Sequence, residues 1–197
     1  LGVELDAPIL TEEARRAQFT NEGGIGGKIT FLQNITGLWF LQRLMAEWAD
    51  EGDEQQYEPL LAAAERAEIQ TVIPVDAPEF QNPKSMQQAI RGYCERQALD
   101  VPQTKADLTR VVLQSLAAKY AEATQALNAM LPEPIKKLHI IGGGSQNKLL
   151  NRLTQQALGI PVEAGPVEAT AIGNILTQAL AKGEVADIHE MRSIAIV

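Results

Sequence analysis

A short apolar run followed by three consecutive glycines constrains the fold of this chain more than any other feature. Residues 138–141 have the length and composition of a buried strand, Gly142 to Gly144 come next, and an amphipathic helix begins at Asn147. Glycine lets another molecule approach the main chain closely and adopts backbone angles that other residues avoid. The order strand, glycine turn, helix therefore predicts an α/β fold with bare main chain beside a helix N-terminus.

Two kinds of nucleotide loop are excluded by this spacing. A dinucleotide fingerprint requires glycine at its sixth position, where this chain has Asn147, and a P-loop requires a closing Gly-Lys-Ser/Thr that is absent. Free N–H groups and the helix dipole still favour an anion or the polar edge of a ligand. A tight strand-to-helix turn without any ligand explains the same glycines, so both interpretations stay open on the loop alone.

The last third of the chain continues the alternation of strands and helices. A helix is predicted over residues 147–158 and ends at Gly159, which suits the left-handed position after a helix. A short strand follows at residues 160–163, and a helix rich in small residues covers residues 168–182. Because no linker interrupts the pattern, we predict one α/β domain over residues 1–197.

The first two thirds are predicted to be mostly helical. Thr104 and Asp107 have the spacing of a capping box in front of the longest helix. A glycine-rich stretch at residues 20–27 is predicted as a hairpin tip or loop. The other predicted strands are at residues 3–5 and, as a strand or extended segment, from residue 29. The predicted helices are a short one capped by Thr11, one that begins at residues 58–64, and those over residues 34–49, 84–97 and 104–131.

Charge and composition exclude several classes of protein. The net charge is −8 with scattered Lys and Arg, so the basic footprint that a nucleic-acid partner needs is missing. A single cysteine, Cys94, is typical of a cytoplasmic protein, and no run of about 18 apolar residues predicts a membrane span. Two distant histidines and one cysteine do not predict a zinc site. The missing initial Met and the apolar end at residues 194–197 indicate a piece of a longer protein.

Several segments together resemble the FGGY family of carbohydrate kinases. Residues 140–147, Ile-Ile-Gly-Gly-Gly-Ser-Gln-Asn, resemble the adenosine motif of that family, and residues 164–174 resemble the helix that packs on the motif. In that helix, small residues at Ala169, Ala171 and Gly173 are predicted to allow close packing against the glycine turn. Residues 20–24 and 31–43 are similar to the branch that acts on L-rhamnulose. The resemblance spans essentially the whole chain.

The resemblance implies a fold, a reaction and partners. The fold is α/β and ribonuclease-H-like, of the actin, hexokinase and Hsp70 ATPase type, as the C-terminal half of a two-domain sugar kinase. The parent would transfer the γ-phosphate of ATP, with Mg²⁺ held through the ATP phosphates, to the 1-hydroxyl of L-rhamnulose. The catalytic base would lie in the absent N-terminal domain, so we expect residues 1–197 alone to be inactive.

The resemblance also assigns site residues. Gly143 and Asn147 would contact the adenosine part of ATP, with Gly142 and Gly144 in the same loop. Gln42 would also reach the nucleotide.

Asn34 would face the sugar. It lies eight residues before Gln42, close to two helical turns, so one helix face is predicted to carry both side chains. Without the resemblance, each of these amides is equally explained as a helix cap or a solvated side chain.

Other interpretations remain open at this level. Three alternatives are consistent with the sequence. The chain is part of another FGGY kinase that acts on a ketose or deoxy sugar, it is a nucleotide-binding module without catalysis, or it is an interaction domain in which the glycines form only a turn. His139 alternates with apolar strand residues and is predicted to be buried rather than catalytic. Cys94 is predicted to be a small core residue.

Overall fold

A computed structural model describes residues 1–195, and the last two residues of the predicted apolar end, 196 and 197, lie outside the described range. Strands and helices alternate at both ends of the chain, with helices between them. The strands are β1 (Gly2–Leu5), β2 (Thr20–Gly23), β3 (Ile29–Leu32), β4 (Leu138–Ile140) and β5 (Val162–Ala164). The helices are α1 (Glu12–Arg16), α2 (Trp39–Asp50), α3 (Tyr57–Arg66), α4 (Met86–Arg96), α5 (Lys105–Met130), α6 (Lys148–Leu158), α7 (Ala169–Lys182) and α8 (Ile188–Ala195).

The longest helix, α5, organises the main core. Thr104 caps it by accepting a hydrogen bond from the Asp107 N–H, and the Asp107 carboxylate accepts one from the Thr104 N–H, so the predicted capping box is confirmed. Its buried face packs against α3 and α6. The side chains of Trp48 and Leu113 are fully buried in this core, and Cys94 is buried there as predicted.

The N-terminal strands form an antiparallel sheet in the order β1-β3-β2. β2 and β3 are neighbours joined by a short 3₁₀ turn at Ile25–Gly27, so the predicted hairpin is confirmed. Phe31 of β3 stacks on Phe19 at a ring-centroid distance of 4.9 Å, and Leu127 near the end of α5 completes this second apolar cluster. The same long helix therefore contacts both clusters.

The C-terminal strands β4 and β5 pair in parallel and support the glycine turn. α6 follows that turn and ends at Gly159, which has φ of 68° in the left-handed region, as predicted. The parallel pair lies next to the start of α6, because the carboxyl end of β4 leads into the turn. This β-turn-α arrangement provides the bare main chain that the sequence predicts.

Two details of the predicted elements are wrong. The first helix of the core begins at Trp39 and not at residue 34, because residues 33–38 form an irregular connection. α7 packs mainly against α8, and a methyl group added at Gly173 would meet no atom within 4 Å. The close packing of α7 on the glycine turn is therefore not observed. No helix within residues 1–195 is long and apolar enough to cross a membrane.

Candidate functional site

A cleft of about 1210 Å³ lies between α2, the start of α3, β4 and the glycine turn, and we call it the glycine-loop cleft. Its size slightly exceeds the roughly 300–1,000 Å³ of common small-molecule sites. Apolar side chains of α2 and of β4 line it together with the glycine turn. Its lining residues include Gln42, Tyr57, Glu58, Gly143, Gly144 and Lys148.

The glycine turn presents bare main chain to this cleft. Gly142 has φ of 77°, which favours glycine, and its N–H donates to the Pro166 carbonyl at 3.0 Å. Gly143 and Gly144 line the cleft, and a methyl group added to either would meet nothing within 4 Å. Gly143 and Gly144 are the first two residues of a 3₁₀ turn, so their N–H groups have no acceptor inside it, and neither donates a hydrogen bond to another of the described residues. These two donors are therefore available to a ligand.

The turn is held in one conformation by its own neighbours. The Ser145 hydroxyl donates to the Gly142 carbonyl at 2.8 Å, and the Asn151 amide donates to the Ser145 carbonyl at 2.8 Å. The Gly165 N–H donates to the Ile140 carbonyl at 2.8 Å, which ties the strand pair to the base of the turn. Preorganised donors bind a ligand with less loss of conformational entropy than mobile ones.

Asn147 is enclosed at the start of α6. It is fully buried and does not belong to the cleft wall. Its Oδ1 accepts from the Leu150 N–H at 2.9 Å, which caps α6, and its Nδ2 donates to the Tyr57 hydroxyl at 2.9 Å. The side chain is enclosed in this conformation, and its contact with adenosine stays a prediction.

Gln42 and Asn34 are separated by the structure. Gln42 is exposed on α2 and lines the cleft, at a position consistent with its predicted role. Asn34 is exposed in the irregular connection before α2 and is not part of the cleft wall, although Ile35 and Gly37 are. The prediction that one helix face carries both side chains is wrong, because the helix begins five residues after Asn34.

The charged groups around the cleft are few. Glu58 in the first turn of α3 and Lys148 at the start of α6 both line it. His139 is exposed, so the prediction that it is buried is wrong, and its Nδ1 lies 3.6 Å from the Glu163 carboxylate. A hydrogen bond from Lys137 lowers the pKa of the Glu163 carboxyl, helped by the charge of His139. Because these charged groups are exposed to solvent, the interaction between them contributes little free energy.

Tyr57 is the site residue that the sequence pattern does not reveal. Its ring packs on the main core and lines the cleft, and its hydroxyl oxygen accepts the hydrogen bond from Asn147. Burial raises the pKa of this phenol, an effect that the Asn147 hydrogen bond opposes. The two partners lie 90 residues apart, so no local motif links them.

The family assignment rests on a comparison of the whole sequence. Residues 1–182 match the profile of the FGGY family of carbohydrate kinases, C-terminal domain. The chain belongs to this family. The C-terminal domain of FGGY kinases is ribonuclease-H-like and of the ATPase type, so the predicted fold class is confirmed.

Several relatives of this FGGY domain are named rhamnulokinase. The chain is 45% identical over 195 residues to a rhamnulokinase of Bacteroides thetaiotaomicron, covering 98% of this chain and 39% of that protein. It is 42% identical to one from Pectobacterium carotovorum over 98% of this chain and 38% of that protein. A rhamnulokinase of Yersinia pestis is 39% identical over 98% of this chain and 39% of its own length. The chain thus spans about 39% of the length of such relatives.

Proposed function

We propose that this chain is the nucleotide-binding part of a kinase that transfers the γ-phosphate of ATP to the 1-hydroxyl of L-rhamnulose. The observation that carries the proposal is the pair of N–H groups without a partner at Gly143 and Gly144, two residues that line a ligand-sized cleft in an FGGY domain. The sugar is proposed because the relatives at 39–45% identity are named rhamnulokinase. The single cysteine supports a cytoplasmic location.

The residues around the cleft fit an adenine nucleotide. Gly143 and Gly144 have no side chain to fill the space, and the N-terminus of α6 provides a positive dipole end beside them. Gln42 offers both a donor and an acceptor in the same cleft, as an adenine edge or a ribose requires. Lys148 adds one positive charge at the same helix end.

In this proposal the chain binds and orients, and the chemistry comes from the ligand and the other domain. ATP supplies the phosphoryl group, with Mg²⁺ neutralising its phosphates. Mg²⁺ is proposed to be held through those phosphates, as in other phosphoryl-transfer enzymes. The N–H groups of the glycine turn fix the nucleoside, and the apolar side chains of the cleft exclude water.

The base that takes the sugar proton is proposed to lie in a preceding domain of the parent. No carboxylate of this chain is assigned that role, although Glu58 lines the cleft. Asn34 stays a predicted sugar contact. Its exposed amide, next to the connection that supplies Ile35 and Gly37 to the cleft, is free to face an adjacent domain.

Coupled measurement of ADP release tests the proposal. The intact parent is assayed with ATP and a panel of ketoses, in which L-rhamnulose is expected to give the highest kcat/KM. Residues 1–197 alone are expected to give no sugar-dependent ADP. A higher kcat/KM with a different ketose would replace the proposed sugar, and turnover by the isolated chain would contradict the placement of the base.

Calorimetry with ADP separates this enzyme from a module that only binds nucleotide. The intact parent should bind ADP and also phosphorylate a sugar. Binding without phosphoryl transfer to any sugar in the panel would favour the module, and unchanged melting in millimolar ADP would favour a turn without a ligand.

A further inference from the structure

We propose that Tyr57 is a positioning residue for the nucleotide loop, acting through Asn147, an inference that rests on the proposed function. Tyr57 comes from the start of α3, whereas the loop lies between β4 and α6. The hydrogen bond from Asn147 Nδ2 to the Tyr57 hydroxyl, 2.9 Å long, joins them. The role differs from nucleotide contact, because Asn147 is enclosed.

The side chain of Asn147 is completely buried. With none of its surface exposed, its Nδ2 cannot exchange Tyr57 for water without a rearrangement. A buried donor that loses its partner is costly, so the amide would turn or the surroundings would shift. The hydroxyl of Tyr57 therefore fixes the orientation of the Asn147 side chain.

Asn147 is bonded both to the glycine turn and to the first turn of α6. Its N–H donates to the Gly144 carbonyl at 3.2 Å, and its Oδ1 caps α6 by accepting from Leu150. A shift of Asn147 therefore moves the peptide of Gly144 and loosens the first turn of α6. Gly144 and Lys148, the first residue of α6, both line the cleft.

The hydrogen bond between Asn147 and Tyr57 joins residues far apart in the sequence. The other hydrogen bonds of the glycine turn within residues 1–195 join groups no farther than Pro166 along the chain. The Asn147–Tyr57 bond spans 90 residues and ends on a ring that packs against the main core. It joins the turn directly to a ring that lines the cleft, so it fixes the position of the turn relative to the space where the nucleoside would lie.

The Tyr57→Phe substitution in the intact parent tests this role. Phenylalanine keeps the ring and removes the acceptor, so we expect the KM for ATP to rise about twofold to tenfold, as loss of one hydrogen bond predicts. The KM for the sugar and kcat should stay unchanged. Tyr93→Phe removes the same atom from a ring in the main core outside the cleft, and it should change none of the three constants.

Two further measurements decide between positioning and general damage. Asn147→Ser keeps a good helix cap but cannot reach Tyr57, so Tyr57→Phe should add no further rise in the KM for ATP on that background. In nucleotide-free protein, hydrogen exchange at residues 143–147 should be faster in Tyr57→Phe than in the wild type, and unchanged in Tyr93→Phe.

The outcomes are distinct from those of the proposed function. An unchanged KM for ATP, a parallel rise in the KM for the sugar, or full additivity with Asn147→Ser would overturn the role of Tyr57. Unchanged exchange at the loop would also overturn it. The exchange experiment needs no activity, so faster exchange in a parent that phosphorylates no sugar would uphold the coupling while the proposed function fails.

Discussion

Replacing Gly143 with alanine places a methyl group in the glycine-loop cleft without touching the protein's own atoms. The nearest atom lies beyond 4 Å, and Gly143 is not among the glycines with positive φ, so alanine fits the backbone. The fold should be unchanged or more stable by about 0.4–1 kcal/mol, because alanine restricts the unfolded chain. The melting temperature should therefore rise by up to about 4 °C.

Nucleotide affinity should move in the opposite direction. The methyl group holds a nucleoside away from the N–H groups of Gly143 and Gly144, which loses one or two hydrogen bonds. At about 0.5–1.5 kcal/mol each, the loss is about 0.5–3 kcal/mol, or a rise of about twofold to 150-fold in the Kd for ADP. Calorimetry with ADP and thermal melting of the same intact parent measure the two effects together.

Gly159→Ala is the matched control for this experiment. Gly159 has φ of 68° at the end of α6 and does not line the cleft, so alanine there should cost about 1–2 kcal/mol of stability. Its Kd for ADP should equal that of the wild type. An unchanged Kd in Gly143→Ala, or an equal loss of affinity in both variants, would refute the assignment of the turn as the nucleoside contact.

Three further predictions follow from the same structure. Gln42→Ala should raise the KM for ATP and leave the melting temperature unchanged, since the side chain is exposed and lines the cleft. Steady-state kinetics in which only the KM for the sugar rises would contradict a contact between Gln42 and the nucleotide. Thr104→Ala should lower stability by about 0.5–2 kcal/mol in urea unfolding and leave the Kd for ADP unchanged, because it removes one half of a capping box far from the cleft. Burial raises the pKa of Tyr57 in the folded state, so its contribution to stability is complete below the ordinary value of 10.0 and is lost as pH rises through the folded pKa. The melting temperature of Tyr57→Phe should therefore fall less than that of the wild type as the pH rises above 10. An equal fall of the two melting temperatures with pH would contradict this.

The local elements could be predicted because their signals are local. The capping box of α5 and the glycine that ends α6 are set by residues within a few positions of each other, and both are confirmed. The glycine turn was recognisable for the same reason. A bare turn between a strand and a helix has few sequence solutions, and the structure has it with Gly142 in the left-handed region.

The errors arose where tertiary contacts decide. Apolar periodicity does not mark where a helix begins, so the pattern predicts α2 from residue 34 although the helix begins at Trp39, and Asn34 does not lie on its face. His139 alternates with apolar neighbours but is exposed on a two-stranded sheet, with its Nδ1 3.6 Å from the Glu163 carboxylate. The contact of Tyr57 with Asn147 depends on the packing of α3 beside α6 through α5, which no spacing in the sequence specifies.

The 26 residues of α5 give it a length of about 39 Å, enough to extend through both apolar clusters. Leu108 to Ala117 belong to the cluster beneath the cleft, and Leu127 belongs to the cluster beneath the antiparallel sheet. Hydrogen bonds of a helix join residues four apart, so fraying at either end stays local, whereas opening that crosses the middle of α5 removes packing from both clusters. The two clusters should consequently lose protection as one cooperative unit, and a ligand bound at the cleft would slow opening at the distant sheet.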